Sequence, residues 1–215
     1  MIIAVDGPTA SGKGTIARAL AAHFGLPHLD TGLLYRAVGR TVARNGGDPD
    51  NEADAFAACG FSDDLLADPE LRSEVSGGLA SRVSVHPAVR QALFERQRAF
   101  ATRPGGAVLD GRDIGTVIAP DADVKLFVVA DLYTRAQRRY REMRESGRDV
   151  TLEAITGELA ARDQRDAGRR DAPLRAAGDA ITLDTTKITR DAAAQEAIRI
   201  VRERAAARLE RPGSA

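Results

Sequence analysis

The stretch MIIAVDGPTASGKGT, residues 1–15, sets the architecture expected of the whole chain. The apolar run at residues 2–5 predicts a short buried strand. It is followed by Gly7, four residues, Gly12 and Lys13, which is the spacing of a phosphate-binding loop. Glycines let the backbone turn sharply, so that its N–H groups and the positive end of the next helix face an anion. The stretch therefore predicts a strand, a loop that binds nucleotide phosphates, and a helix.

The residue after Lys13 departs from the general pattern. That position usually holds Ser or Thr, whose hydroxyl binds Mg²⁺. This chain has Gly14 there and places Thr15 one residue later. The usual hydroxyl ligand of the metal is therefore missing, which is atypical of GTPases and of helicase-type ATPases.

The composition excludes several classes of protein. The 215 residues suit one domain, and the 31 basic and 31 acidic side chains balance to zero net charge, which argues against a general nucleic-acid binder. A single cysteine, Cys59, excludes an internal disulfide, and three scattered histidines do not form a zinc site. No run approaches a membrane span, and the chain starts with a strand rather than a signal peptide. We therefore expect a cytoplasmic protein with no membrane and no nucleic-acid partner.

Five short apolar runs alternate with helical segments, at residues 2–6, 26–30, 107–110, 124–129 and 180–184. This alternation predicts a single α/β domain whose parallel sheet is covered by helices on both faces. In such sheets ligands bind at the carboxyl ends of the strands. Four aspartates end predicted strands, namely Asp6, Asp30, Asp110 and Asp184. Asp30 and Asp184 could equally be turn or cap residues, and for Asp184 we favour that interpretation.

Residues 45–86 lack strand signals and predict an insert of helical character, with one helix over residues 68–83. Thr31 precedes an amphipathic helix that it could cap, and the pattern alone does not distinguish that role from one in binding. Other boundaries are predicted from caps at Gly25, Asp131 and Thr151 and from a frayed tail beginning at Arg211.

The stretch RDQRDAGRR, residues 162–170, alternates arginines with aspartates at the end of a predicted helix. Such charge runs are usually solvated helix faces that carry ion pairs. Here no nearby lysine or glutamate offsets the arginines, and the stretch contains a glycine hinge. Phosphoryl transfer needs charge neutralised on the moving group, in a site closed to water. We therefore favour a mobile arginine lid over a solvated face.

With these residues in view, the chain resembles the bacterial cytidylate kinases over nearly its whole length. The similarity rests on the order and combination of GPTASGKGT (7–15), LDTGLLYR (29–36), VRQALFERQRAF (89–100), DGRDIGTVIAPDA (110–122), RAQRR (135–139) and RDQRDAGRRDAPL (162–174). DGRDIGT together with the arginine–aspartate stretch separates this family from the adenylate, thymidylate and shikimate kinases.

The resemblance implies a P-loop nucleoside monophosphate kinase, with a three-layer α/β/α fold and a five-stranded parallel sheet. It implies phosphoryl transfer from ATP to CMP or dCMP, Mg²⁺ bound with ATP, and a monomer. One domain, residues 1–215, would contain an NMP-binding insert at 45–86 and a lid region at 147–175. Many members carry a small antiparallel sheet in the insert, for which this segment is too short and too helical. Because Gly14 lacks a hydroxyl, we expect phosphates and waters to hold Mg²⁺, with no direct protein ligand.

The resemblance also assigns functional residues by position. The ATP phosphates would be held by Gly7, Pro8, Thr9, Ala10, Ser11, Gly12, Lys13, Gly14 and Thr15. The CMP phosphate would be held by Thr31, Arg36, Arg112 and Arg169, with Tyr35 beside it. The base would be recognised by Ser81, Arg90 and Asp113, and the sugar by Arg162 and Asp166. The catalytic residues would be Lys13, Arg112, Arg165 and Arg169, with Arg165 neutralising the transferring group.

The base assignment agrees with the chemistry of cytosine. Cytosine has an amino donor at N4, which suits the Asp113 carboxylate, and acceptors that suit Arg90 and Ser81. Uracil would set a carbonyl against the carboxylate, so we predict that CMP and dCMP are preferred to UMP.

Two alternatives stay open. The first is a kinase of the same fold that acts on UMP, AMP or a non-nucleotide metabolite, and the base-reading residues argue against it. The second is a switch protein regulated by nucleotide, and the missing hydroxyl after Lys13 argues against it.

Overall fold

A parallel β-sheet forms the centre of the computed structural model, which describes residues 1–209. Its strands are β1 (Ile2–Asp6), β2 (His28–Asp30), β3 (Ala107–Gly111), β4 (Val124–Val129) and β5 (Ile181–Asp184). All neighbouring pairs are parallel, and the spatial order is β2-β3-β1-β4-β5. The predicted five-stranded parallel sheet is confirmed, and β1 with its loop lies in the middle of it.

Helices cover both faces of this sheet. In the described part of the chain they are α1 (Lys13–Phe24), α2 (Thr31–Arg44), α3 (Glu52–Ala57), α4 (Glu74–Val83), α5 (Pro87–Ala101), α6 (Leu132–Glu145), α7 (Leu152–Ala167) and α8 (Arg190–Leu209). Successive side chains of β1 alternate between the faces, so Ile3 and Val5 pack with α1 and α8, whereas Ala4 packs with α5. This two-sided burial gives a three-layer α/β/α architecture and explains the continuous apolar run in the sequence.

Residues 45–86 form helices and turns and contain no strand. The single helix predicted over residues 68–83 is wrong, because a 3₁₀ turn at Pro69–Arg72 ends before an extended Ser73. The Ser73 hydroxyl accepts a hydrogen bond from the Ser76 N–H and caps α4, so the helix restarts there. A separate apolar cluster joins this segment to α2 and α5. Its assignment as an NMP-binding insert stays a prediction.

Most of the predicted helix boundaries are confirmed. Asp131 and Thr151 accept hydrogen bonds from backbone N–H groups in the first turns of α6 and α7. Gly25 ends α1 with a φ of 64°. Thr31, however, does not cap α2. It is the first helical residue, and its hydroxyl donates to the carbonyl oxygen of Asp110 at 2.9 Å.

The helices α6 and α7 pack on each other through an apolar cluster of their own, formed by Ala136, Met143, Ile155 and Leu159. This packing fixes the first half of α7 on α6. The assignment of residues 147–175 as a lid stays a prediction.

None of the helices within residues 1–209 is long and apolar enough to cross a membrane. The tail predicted to fray from Arg211 lies outside the described residues.

Candidate active site

The loop between β1 and α1 has the backbone that a phosphate-binding loop requires. Gly7 has a φ of 154°, and a Cβ there would lie 2.1 Å from the carbonyl oxygen of Val128, so that only glycine fits. Gly12 has a φ of 93°, and α1 begins at the next residue, Lys13. The first N–H groups of a helix have no partner within the helix, so this end of α1 is positioned to bind an anion.

A cavity of about 390 Å³ lies over this loop and is called the large cavity below. Seven of the nine predicted ATP-binding residues line it, namely Thr9, Ala10, Ser11, Gly12, Lys13, Gly14 and Thr15, whereas Gly7 and Pro8 do not. The residues predicted to bind ATP do not include those that line the far end of this cavity, which are Arg138, Thr185, Ile188, Thr189 and Arg190. Most of these follow β5, and the rule that ligands gather at the carboxyl ends of strands is the signal that could have found them.

Lys13 is half-buried at the start of α1 and lines the large cavity. Burial, with a smaller contribution from the nearby Arg112 guanidinium, lowers the pKa of its ammonium group to about 7, against the opposing effect of Asp110 and Asp30. Folding therefore raises the free energy of the charged form of Lys13, and this is the cost of keeping the ammonium group in the cavity. An anion in the cavity would offset that cost.

Replacing Lys13 by methionine should stabilise the empty protein at neutral and acid pH. A lysine whose pKa falls from 10.5 to about 7 on folding destabilises the fold below the lower value. The unfolded chain binds the extra proton between these two pKa values, so the destabilisation fades as pH rises through that window. We expect Lys13→Met to unfold about 3 °C above the wild type at pH 6.5, with a gap that narrows by pH 9.

Scanning calorimetry at several pH values without nucleotide measures this gap. The matched control is Lys187→Met, which makes the same change at an exposed lysine that does not line the large cavity and should not raise the unfolding temperature in this way. A Lys13→Met gap that stays constant from pH 6.5 to 9 would show that the ammonium group is not destabilised by folding.

A second cavity of about 50 Å³, called the small cavity below, adjoins the first. Nine of the ten predicted CMP-binding residues line it, namely Thr31, Tyr35, Ser81, Arg90, Arg112, Asp113, Arg162, Asp166 and Arg169. Its volume is far below the roughly 300–1,000 Å³ of typical ligand sites, so its walls must separate to admit a nucleotide. The residues common to both cavities are Gly32, Gly111, Arg112 and Arg162.

A buried ion pair between Arg90 and Asp113 forms one wall of the small cavity. Burial raises the pKa of the Asp113 carboxyl, although Arg90 and Arg169 oppose that rise. The guanidinium of Arg90 also lies 5.9 Å from the ring centroid of Tyr35. The Oγ atom of Ser81 is buried, and no group in residues 1–209 forms a hydrogen bond with it. This wall therefore offers a carboxylate acceptor and two donors to a flat polar molecule.

Arg112 ties the phosphate-binding loop to α7. Its Nε donates to Asp166 Oδ2 at 2.8 Å, and its Nη2 donates to Thr9 Oγ1 at 2.7 Å. Arg169 donates to the other oxygen of Asp166 and, at 2.9 Å, to Ser84 Oγ. The side chains of Asp166 and Arg169 are only 1% and 6% exposed. This end of the charge run is therefore not a solvated helix face.

Arg162 is the second guanidinium that lines both cavities. Burial, with a smaller contribution from the Arg112 guanidinium, lowers its pKa to about 9. Its Nε atom is buried and forms no hydrogen bond with the described part of the chain. A buried, incompletely satisfied guanidinium is suited to bind an anion such as a phosphate.

Two of the residues predicted to bind CMP or to take part in catalysis, Arg36 and Arg165, do not line the small cavity. Arg36 lines the large cavity, and its Nη1 donates to the carbonyl oxygens of Leu71 and Ser73 at 2.7 and 2.8 Å. Arg165 is exposed and lines neither cavity. Arg162 and Asp166 are four residues apart and share one face of α7, whereas Arg165 projects beside that face into solvent. Its predicted catalytic role stays a prediction.

The Asp6 carboxylate at the end of β1 forms hydrogen bonds within the protein. It accepts hydrogen bonds from the N–H groups of Ile114 and Gly115 at 2.9 and 2.8 Å, at the start of a π-helical turn. Burial raises the pKa of Asp6 to about 7, against the effect of these two donors. Asp184 likewise accepts from the Thr186 N–H at 2.8 Å, which confirms its interpretation as a turn residue.

The described residues contain no group of three or more His, Cys, Asp or Glu side chains that could hold a metal ion. Asp30 and Asp110 nevertheless line the large cavity beside the loop. The Oδ2 atom of Asp110 lies 3.7 Å from the position that a Cβ on Gly14 would take. These carboxylates fit the waters of a metal ion that arrives with phosphates, rather than a metal site formed by the protein alone.

Comparisons with known proteins agree with this arrangement. A family model described as "Cytidylate kinase" matches residues 3–203. The cytidylate kinase of Granulibacter bethesdensis is 56% identical over 205 residues, which cover 95% of this chain and 98% of that protein. The cytidylate kinase of Rhodopseudomonas palustris is 50% identical over 202 residues, which cover 94% of this chain and 95% of that protein. A solved structure of an uncharacterized protein from Eubacterium ventriosum has the same fold, with a TM-score of 0.55 and 18% sequence identity. The match covers 94% of this chain and 98% of that one.

Proposed function

Since the chain belongs to the cytidylate kinase family, we propose that its large cavity holds ATP and its small cavity holds CMP or dCMP. The enzyme transfers a phosphoryl group from ATP to the monophosphate and gives CDP or dCDP and ADP. One observation carries the assignment of the cavities, namely that Arg112 and Arg162 line both of them. Two guanidinium groups therefore lie where the donor and acceptor phosphates would meet.

The donor triphosphate would lie on the N–H groups of the loop at residues 7–15, with Lys13 against its outer phosphates. Support comes from the cost of holding the Lys13 ammonium group in the empty cavity, which phosphate oxygens would remove. The adenine would extend toward the far end, where Arg138 and Ile188 offer a guanidinium and an apolar contact. We infer this direction because the cavity continues there from the loop.

The acceptor would place its phosphate near Arg112 and its base against Asp113 and Arg90. The phosphate ligands would be Thr31, Arg36, Arg112 and Arg169, with Tyr35 beside them, and Arg162 and Asp166 would hold the sugar. The unpartnered Ser81 hydroxyl supports the location of the base, because a cytosine acceptor would satisfy it.

No side-chain base is needed, because the attacking oxygen belongs to a phosphate that is already ionised. Catalysis is then positioning together with neutralisation of the charge that spreads over the phosphoryl group in transit. Arg112 is fixed between Thr9 and Asp166, so it is already oriented before substrates bind. Arg162 would supply a second positive charge, and both arginines exclude water from the junction.

We propose that Mg²⁺ binds with ATP through phosphates and waters, and that Asp110 and Asp30 contact those waters. When bound, the metal ion would neutralise donor phosphate charge and hold the phosphates in one geometry. The protein's part is to orient its carboxylates beside Gly14, the position at which a hydroxyl ligand is missing.

We also propose that the insert at residues 45–86 and the lid at 147–175 move apart to admit substrates and close for the reaction. The small volume of the acceptor cavity supports this motion. The monomeric state and the cytoplasmic location predicted from the sequence stay predictions.

An acceptor panel with ATP tests the proposed function. We expect kcat/KM for CMP and dCMP to exceed that for UMP by at least about 100-fold, because a uracil carbonyl would set a hydrogen-bond acceptor against the buried Asp113 carboxylate, which is also an acceptor. AMP should be a poor acceptor, and ATP hydrolysis without an acceptor should be slow. Coupled measurement of ADP formation gives all of these rates. Comparable values for UMP and CMP would contradict the base assignment.

A further inference from the structure

A histidine at the edge of the sheet contacts an aspartate of the active site. His28 on β2 and Asp110 on β3 approach so that His28 Nε2 lies 2.7 Å from Asp110 Oδ1. The histidine side chain is 19% exposed and the aspartate side chain is 4% exposed. Within residues 1–209 no other group forms a hydrogen bond with the Asp110 carboxylate. The imidazole is thus its single anchor.

The second oxygen of Asp110 lies beside the phosphate-binding loop. Asp110 Oδ2 is the oxygen that lies 3.7 Å from the position of a Cβ on Gly14. A hydroxyl at that position would bind the metal directly in the general loop pattern. Asp110 Oδ2 thus lies beside the position that the missing hydroxyl would occupy, and the carboxylate is close enough to Lys13 and Arg112 to interact electrostatically with both.

We propose that His28 is a positioning residue, which donates from Nε2 to Asp110 Oδ1 and keeps Oδ2 directed at the water shell of phosphate-bound Mg²⁺. This inference rests on the proposed function of the large cavity. A carboxylate held at one oxygen keeps its terminal torsion fixed, whereas a free one rotates and can turn toward Lys13. His28 then acts on the metal through Asp110 and touches neither substrate.

Three variants separate the hydrogen bond from the bulk of the ring. His28→Phe keeps a ring of similar size and removes the donor, whereas His28→Gln carries an amide nitrogen that reaches about as far as Nε2. We expect kcat with CMP to fall about 10-fold in His28→Phe, with KM for CMP within twofold of the wild type. His28→Gln should restore most of kcat. His23→Leu, on the exposed end of α1, is the control and should match the wild type.

A second readout does not depend on turnover. Titration calorimetry gives the affinity for ADP with and without Mg²⁺, and the ratio of the two measures how well the site uses the metal. We expect this ratio to fall about 10-fold in His28→Phe and to be kept in His28→Gln, while the affinity for ADP without metal stays unchanged. Because no acceptor is present, this ratio is measured whether or not the acceptor assignment holds, and the acceptor panel tests that assignment separately.

Two outcomes would overturn the proposal. A wild-type ratio and kcat in His28→Phe would overturn the proposal. Equal losses in His28→Phe and His28→Gln would also overturn it, because they would show that β2 needs the ring rather than the hydrogen bond. If His28→Phe does not fold, the smaller His28→Leu replaces it and the same comparison with His28→Gln decides.

Discussion

Replacing Arg112 by glutamine is expected to lower kcat for CMP phosphorylation by about 10³-fold. Arg112 lines both cavities and is held by Thr9 of the loop and Asp166 of α7. Its guanidinium therefore lies between the two cavities, where we propose that charge spreads over the phosphoryl group in transit. Glutamine can replace a hydrogen bond there but carries no charge. Steady-state kinetics with saturating ATP measure the loss.

The controls separate charge at the junction from general damage. Arg112→Gln also removes one of the two ion-pair partners of the buried Asp166, so we expect a lower Tm and assay well below it. Arg170→Gln makes the same change at an exposed arginine that lines neither cavity and should keep wild-type kcat. If Arg112→Gln kept more than a tenth of wild-type kcat at a temperature where it is folded, Arg112 would not be a catalytic residue.

Replacing Asp113 by asparagine should remove most of the discrimination between CMP and UMP. The carboxylate can only accept hydrogen bonds, so it matches the cytosine amino group and opposes a uracil carbonyl. An asparagine side chain carries both an acceptor and a donor and can turn either toward the base. We expect kcat/KM for CMP to fall about 100-fold and kcat/KM for UMP to rise. The ratio of the two kcat/KM values should therefore fall by about 10² to 10³.

The chain offers a close control for this change. Asp121 also pairs with an arginine of α5, through Arg98 at 2.6 Å, but this pair lies on the surface away from both cavities. Asp121→Asn therefore removes one carboxylate and one ion pair without touching the site, and it should leave the CMP/UMP ratio unchanged. An Asp113→Asn enzyme that still rejects UMP as strongly as the wild type would show that another group recognises the base.

The parts of the fold and of the site that could be predicted are those whose informative residues lie close together in the sequence. The loop at residues 7–15 carries its glycines and its lysine within a few positions, and the structure has the expected strand and helix on either side of it. Arg112 and Asp113 directly follow β3, so the carboxyl edge of a parallel sheet must bring them beside the loop.

The parts that could not be predicted depend on contacts between distant segments. Thr31 has the pattern of a helix cap, yet its hydroxyl bonds to a carbonyl group 79 positions later. Arg162 and Arg165 look alike in the sequence, but only Arg162 faces the cavities, because the packing of α7 decides which of its faces is buried. The far end of the large cavity combines Arg138 of α6 with residues after β5, and these share no motif.

The central place of β1 in the sheet has a consequence for the synthesis of this enzyme. β1 is synthesised before both of its neighbours in the sheet, β3 and β4, for example Ile2 before its partner Ala107 and Ile3 before its partner Val124. At about 5–20 residues per second, an apolar strand waits roughly 5 to 25 seconds for its two neighbours, without a partner in the sheet. Local helices such as α1 can form during that time, but the loop between β1 and α1 has no rigid support until both neighbours arrive. The phosphate-binding loop is thus made before the two strands that support it, and it can take its final shape only after both have been made.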